Sequence, residues 1–235
     1  MNSFSFYNPT RVHFGVGMLN MLGKEIKQAG YSKILLIAGG GSIRTNGVHE
    51  QVLSTLKNNN IDWIEAWGVQ TNPTLDKVRE LIALAQKEKV DCLLAVGGGS
   101  VIDTAKAVAA GFYLNDVWNA FLRTEQISKA LPLYTVLTLS ATGSEMNGNA
   151  VITNEAERKK WAIASPLLYP VATIIDPSFQ NSLPQRQTVN GALDATAHIL
   201  EYLFIDSNSL ATIAIDEALL LTVMECTDRL LIDPT

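Results

Sequence analysis

The stretch CLLAVGGGSVIDTAK, Cys92 to Lys106, decides the fold. Cys92 to Val96 is a continuous apolar run, the pattern of a strand buried on both faces of a parallel sheet. Gly97, Gly98 and Gly99 follow, and from Asp103 to Ala110 the residues are helix formers. A strand, a glycine turn and a helix in that order make an anion cradle. Glycine lets the backbone approach the ligand, and the first helical turn offers unpaired N–H groups at the positive end of the helix dipole. A tight turn alone needs one or two glycines, so three between a buried strand and a helix point to phosphate.

The same alternation extends on both sides. Lys33 to Ala38 (KILLIA) is an apolar run entering Gly39-Gly40-Gly41-Ser42, with helical spacing from about Val48 to Leu56. Ile61 to Ala66 predicts a strand and Leu75 to Glu88 an amphipathic helix. Leu133 to Leu139 and Val171 to Ile175 read as further strands, running into SATGSEMN and Asp176-Pro177. Beyond about residue 183 strand signals stop, and Arg186 to Leu203 and Leu210 to Leu231 read as helices. The predicted architecture is an α/β N-terminal dinucleotide-binding domain with a parallel sheet, residues 1–182, followed by the start of an all-helical domain, residues 183–235. Two helices enclose little core. They are expected to pack on the first domain, on a partner or on something this chain lacks.

Composition narrows the function. The 235 residues carry a net charge of -5, with 47% hydrophobic and 17% charged residues. An acidic chain opposes nucleic-acid binding, which needs a basic face. No apolar stretch reaches the roughly 20 residues needed to span a bilayer. Cys92 and Cys226 make no disulfide framework and point to a reducing compartment. The N-terminal MNSFSFYNPTRVHF lacks a positive segment followed by an apolar core, so it is not read as a secretory signal. A cytoplasmic protein with no nucleic-acid or membrane partner is expected.

No G-x-G-x-x-G occurs: Arg44 stands where the last glycine would follow Gly39, and Ile102 where it would follow Gly97. An ordinary Rossmann dehydrogenase is therefore disfavoured. Gly39-Gly40-Gly41-Ser42 follows the earlier strand, where an adenosine ribose would lie. A free 2′-hydroxyl is usually held by an acid in this neighbourhood, and none occurs between Ile34 and Val48. Ser42, Arg44 and Thr45 can instead donate to a 2′-phosphate, which favours NADP over NAD; Arg44 as a solvated loop charge is the alternative. The hydroxyl-rich turn Thr138 to Glu145 can hydrogen-bond a ribose or a carboxamide, although Ser/Thr turns are common.

Asp194 and His198 are spaced i,i+4 in GALDATAHILEYL, so a helix places them about 6 Å apart on one face. A carboxylate and an imidazole suit Zn²⁺ or Fe²⁺. An Asp–His hydrogen bond on a partly exposed helix satisfies the same spacing. Glu201 offers a third ligand or another solvated charge.

Together these motifs resemble the iron-containing (group III) alcohol dehydrogenases, most nearly their NADPH-dependent aldehyde reductase and butanol dehydrogenase branch. The similarity runs through Asn8-Pro9-Thr10, Phe14-Gly15-x-Gly17, Asn72-Pro73, GGGSVIDTAK, TLSATGSEMN, Lys160 ten residues before Pro170, Asp176-Pro177 and Asp194-x-x-x-His198. The resemblance implies a coenzyme domain and a helical domain with metal and substrate between them, and a homodimer joined at the N-terminal domain edge. By position, Gly39, Gly40, Gly41 and Ser42 would face the adenosine end of NADP. Asn72, Gly98, Gly99, Ser100, Asp103, Thr138, Thr142, Asn147 and Lys160 would line the rest. An aspartate often replaces Gly39 in NAD-preferring relatives, so the glycine again favours NADP. Lys160 has a rival role as a surface cation beside Lys159. Asp194 and His198 would ligate Fe²⁺ or Zn²⁺, and the implied chemistry is metal-assisted hydride transfer between the nicotinamide and a small alcohol or aldehyde. No catalytic residue beyond the metal ligands is singled out.

The family's metal site uses one aspartate and three histidines, whereas this sequence holds only His13, His49 and His198. His13 falls in the first strand and His49 in a helix of the coenzyme domain, so neither matches a ligand position. The expectation is part of a longer enzyme. A truncated NADP-binding module without catalysis, and glycerol dehydrogenase-like polyol oxidation or dehydroquinate synthase-like chemistry, are the alternatives.

Overall fold

The computed structural model describes residues 5, 7–205 and 209–233. Residues 1–4 and 6 of the N-terminal stretch, and Pro234 and Thr235 at the predicted end of the last helix, lie outside the described residues. The chain divides into two units.

The first unit holds the residues up to Thr138 and Thr142–Phe179. In chain order it runs β1 (Arg11–Phe14), α1 (Asn20–Gln28), β2 (Lys33–Ala38), α2 (Ser42–Thr45), α3 (Val48–Asn58), β3 (Asp62–Ala66), α4 (Leu75–Glu88), β4 (Cys92–Gly97), α5 (Gly99–Gly111), α6 (Val117–Phe121), β5 (Leu133–Leu137), β6 (Asn149–Asn154), β7 (Lys159–Ala164) and β8 (Ala172–Ile175). Six strands form one sheet in the order β1-β8-β5-β4-β2-β3, and every neighbouring pair is parallel.

Both faces of the sheet are covered, which is why its central strands read as unbroken apolar runs. Along β2, Ile34, Leu36 and Ala38 pack with Leu22 and Ile26 of α1 and Val52 and Leu56 of α3. Leu35 and Ile37 point the other way, into a layer with Val78 and Leu81 of α4 and Ile102, Ala105 and Val108 of α5. The connection leaving β2 moves to β3 on one side, and that leaving β4 moves to β5 on the other. A crevice therefore opens between the carboxyl ends of β2 and β4, the switch point at which open α/β sheets bind ligands.

Two differences from the sequence reading bear on the site. The helix after the second glycine cluster starts at Gly99, four residues before Asp103, because Val101 and Ile102 donate their N–H groups to Gly98 O at 3.0 and 3.2 Å. Glycine's poor helix propensity hides this first turn from the sequence. The segment Asn149–Ala164, to which no element was assigned, is the antiparallel hairpin β6–β7. Its inward residues Ala150, Ile152 and Ile163 join the α4–α5 layer, while Val151, Ala162 and Ala164 share the outer face with Asn149, Thr153 and Lys160, so apolar and polar residues do not alternate cleanly.

The second unit comprises Leu139–Ala141 and the chain from Gln180 onward, with α7 (Gln185–Leu203) and α8 (Leu210–Ile232). Gln180 brackets Ser140, accepting from its N–H at 3.2 Å and donating to its Oγ at 2.8 Å. Gln185 near the start of α7 donates to Leu231 O near the end of α8, so the two helices run antiparallel. None of their described residues is buried. No helix among the described residues is long and apolar enough to cross a membrane.

Candidate functional site

The glycine turn after β4 opens into a cleft of about 440 Å³ lined by Asn72, Gly99, Ser100, Asp103, Thr142, Asn147 and Lys160, with Pro73, Ser144, Asn149 and Val151 completing the wall. Seven residues named from the sequence are thus brought together. Gly98 caps α5 in extended conformation, and the N–H groups of Gly99 and Ser100 open the helix with no helical carbonyl to bond. A Cβ on Gly99 would overlap the hydroxyl and methyl of Thr142, so only glycine lets that side chain lie against the helix start.

The wall is held by a buried polar network. Asp103 accepts from Ser144 Oγ at 2.6 Å through Oδ1 and from Val151 N–H at 3.0 Å through Oδ2. One helical turn deeper, Lys106 has no exposed surface. Its Nζ donates to Ser144 O at 2.6 Å, Ser144 Oγ at 3.0 Å, Asn147 Oδ1 at 2.9 Å and Asn149 O at 2.9 Å. Burial pushes the Asp103 carboxyl above its ordinary value, against the hydrogen bonds from Ser144 and Val151 and the charges of Lys106 and Lys160. Burial likewise pushes Lys106 down to about 8, against the pull of Asp103 and Glu145. Lys106 was not among the predicted site residues. Its signal was a lone lysine in an Ala- and Val-rich helix, three residues after Asp103.

Lys160, on β7, donates to Asn72 Oδ1 at 2.8 Å. Asn72 holds a left-handed backbone, φ 57°, and Thr153 N–H bonds the next residue's carbonyl, Pro73 O, at 2.9 Å. The hairpin and the loop before α4 therefore meet at this side of the cleft. The neighbouring Lys159 pairs with Glu157 instead.

Gly39, Gly40, Gly41 and Ser42 do not line this cleft. They sit beyond β2, the adjacent strand, where Gly41 takes a left-handed φ of 116° ahead of α2. The two loops at this end are laced together, Gly68 N–H donating to Gly39 O and Val69 N–H to Ala38 O. Thr45 Oγ1 is engaged with Ser42 O at 2.8 Å. Arg44 lies over the ring of Trp67, 3.8 Å from its centroid, with Nη2 3.7 Å from Glu65 Oε2. That same oxygen accepts from Trp67 Nε1 at 2.8 Å and lies 3.2 Å from His49 Nε2. An acid therefore does stand in this neighbourhood, but on β3. Only the pairing of β2 with β3, Leu36 opposite Glu65, brings it near. Gly98 and Thr138 also lie outside the cleft wall; Thr138 N–H bonds Gly97 O at 3.1 Å, which ties the end of β5 to the glycine turn.

On α7, His198 Nε2 is 3.9 Å from Asp194 Oδ2, and His198 Nδ1 is 3.7 Å from Glu201 Oε2. All three side chains are at least half exposed. Asp194 and His198 supply a carboxylate and an imidazole, a donor pair suited to a divalent ion. Among the described residues, however, no group of three or more His, Cys, Asp and Glu is placed to hold one. Metal sites normally take at least three protein ligands, so this pair by itself falls short of one. His13 bonds Glu25 at 3.0 Å beside Arg11, and His49 Nε2 lies buried 3.2 Å from Glu65 Oε2, so both histidines face carboxylates within the first unit.

A six-stranded parallel sheet with a switch-point crevice and a glycine-started helix defines an α/β protein of Rossmann-like architecture. The chain belongs to the iron-containing alcohol dehydrogenase family: the family model described as "Iron-containing alcohol dehydrogenase" matches residues 9–177. It is 43% identical over 235 residues to the probable NADH-dependent butanol dehydrogenase 2 of Bacillus subtilis (strain 168), covering 99% of this chain and 60% of that protein. Identity to the NADPH-dependent aldehyde reductase YqhD of Escherichia coli (strain K12) is 38% over 240 residues, covering 100% of this chain and 61% of that one. The crystal structure of an NADH-dependent butanol dehydrogenase A from Thermotoga maritima superposes with a TM-score of 0.97 at 52% identity, covering 100% of this chain and 59% of that chain. The chain thus spans about three fifths of the length of these relatives.

Proposed function

We propose that this chain carries the coenzyme-binding part of an NAD(P)H-dependent alcohol dehydrogenase or aldehyde reductase acting on a small alcohol or aldehyde. The observation that carries the reading is the cleft at the start of α5, where Asn72, Gly99, Ser100, Asp103, Thr142, Asn147 and Lys160 converge. The unpaired N–H groups of Gly99 and Ser100, with the Gly98 turn, bind coenzyme phosphate. Lys160, oriented by Asn72, adds a positive charge, and Asp103, Thr138, Thr142 and Asn147 supply polar contacts for the remainder of the coenzyme. Gly39, Gly40, Gly41 and Ser42 take the adenosine end. With Gly39 offering no carboxylate and Arg44 beside the turn, NADP is the preferred coenzyme over NAD.

When bound, a nicotinamide would supply the carbon that gives or accepts hydride, and a divalent metal, Fe²⁺ or Zn²⁺, would supply Lewis acidity toward the substrate oxygen. Asp194 and His198 would be two of the residues that hold that metal. The chain's own task is to orient the dinucleotide along the strand ends. A cytoplasmic homodimer completes the reading, and size-exclusion chromatography tests the dimer.

The test pairs coenzyme titration with an aldehyde-reduction assay on metal-supplemented protein. Saturable NADPH binding is expected, and its absence contradicts the proposal. The two-ligand set on α7 favours a second reading for the chain alone, an NADP-binding module without turnover. Binding with no aldehyde reduction supports that reading, and brisk turnover excludes it.

A further inference from the structure

The end of the sheet beside Gly39–Ser42 carries three residues around Arg44, namely Glu65, Trp67 and His49, that the proposed coenzyme contacts leave unexplained. Arg44 lies flat over Trp67 at 3.8 Å, with its side chain more than half exposed. Trp67 is itself fixed, because its indole N–H donates to Glu65 Oε2 at 2.8 Å. At 3.7 Å from that oxygen, Arg44 Nη2 is beyond hydrogen-bond range, so the guanidinium keeps its outward N–H fork available. His49 Nε2, 3.2 Å from the same oxygen, completes the cluster and sets its ring edge-on to Trp67. The lacing of Gly68 to Gly39 and Val69 to Ala38 holds Trp67 beside the glycine turn.

A guanidinium on an aromatic ring loses little freedom on binding and recognises a phosphate through two parallel N–H bonds. A carboxylate close behind it works in the other direction. It offsets part of the positive charge and repels a second anion.

We propose that Glu65 is a positioning residue that fixes Trp67 beneath Arg44, the guanidinium already assigned to the 2′-phosphate, and so sets the strength of the NADPH-over-NADH preference. The inference rests on the coenzyme reading above. Glu65 holds Trp67 in place as a platform and tempers the charge of Arg44. Coenzyme choice is then a competition for one guanidinium between a bound phosphate and a resident carboxylate, on a strand adjacent to the glycine turn.

Calorimetric titration of the full chain with NADPH and with NADH tests this. Arg44→Met is expected to lower the NADPH-to-NADH affinity ratio by about tenfold or more, the scale of a lost charge-assisted bidentate contact. Arg44→Lys restores part of that ratio, since it keeps the charge but loses the flat fork. Glu65→Gln retains an oxygen acceptor for Trp67 and removes the negative charge, so the ratio rises. A ratio in Glu65→Gln equal to that of the wild type overturns the inference while leaving the coenzyme reading intact. Failure of both coenzymes to bind the wild-type chain overturns both.

Discussion

Lys106 Nζ donates to Asn147 Oδ1 at 2.9 Å from a side chain with no exposed surface, tying the interior of α5 to the loop that walls the cleft. The same ammonium reaches the carbonyls of Ser144 and Asn149, and Ser144 in turn bonds Asp103. The position of three cleft residues therefore depends on one buried cation.

Lys106→Met removes the donor shared by those acceptors and the buried positive charge near the Asp103 carboxylate. Removing one member of a buried charged network costs about 3–5 kcal/mol, so a drop in unfolding free energy of that size is expected by denaturant titration. Coenzyme affinity falls with it, because the loop from Thr142 to Asn147 loses its anchor.

Lys106 also predicts a pH dependence. Burial pushes its ammonium from an ordinary 10.5 down to about 8. Between those two values the unfolded chain binds the proton more tightly than the folded one, so stability from this residue rises with pH across the window. It is lost as pH falls through about 8. Unfolding free energies at pH 7.5, 9 and 10.5 are expected to show the wild type gaining on Lys106→Met as pH rises, and a constant difference contradicts the assignment.

Gly99→Ala forces a Cβ into Thr142. Coenzyme affinity is expected to fall by about tenfold, equivalent to ~1.4 kcal/mol, in a binding titration. Adding Thr142→Ala removes the overlapping hydroxyl and methyl and recovers part of the fold stability lost in the single variant, as thermal unfolding reads it.

Much of this was visible in the sequence, and the gaps have physical causes. The runs Lys33–Ala38 and Cys92–Val96 marked β2 and β4 closely because strands covered on both faces have no polar side to blur them. The hairpin β6–β7 was not visible, since only Ala150, Ile152 and Ile163 commit to the core while Val151, Ala162 and Ala164 on the outer face break the apolar–polar alternation. In the cleft, Asn72 and Lys160 were named 88 residues apart and the fold joins them. Glu65 escaped because a search along the chain from Ile34 to Val48 cannot see the neighbouring strand, and Lys106 because its apolar helical surroundings mark burial without showing which acceptors it meets.

Asp194 and His198 are half exposed or more, and 3.9 Å apart. Replacing either by Ala is expected to change unfolding free energy by no more than about 0.5 kcal/mol, as for exposed pairs generally. Elemental analysis of zinc- or iron-supplemented protein is expected to show less retained metal in each variant than in wild type. Unchanged retention removes both residues from the ligand set.

Hydrogen–deuterium exchange with and without NADPH tests the central claim most directly. The account predicts slower exchange on coenzyme addition at the amides of Gly98–Ser100, Thr142–Asn147 and Gly39–Arg44, with little change at α1, which packs on one face of the sheet and lines no part of the cleft. Saturable NADPH binding that leaves those three segments exchanging at their free rate would contradict it.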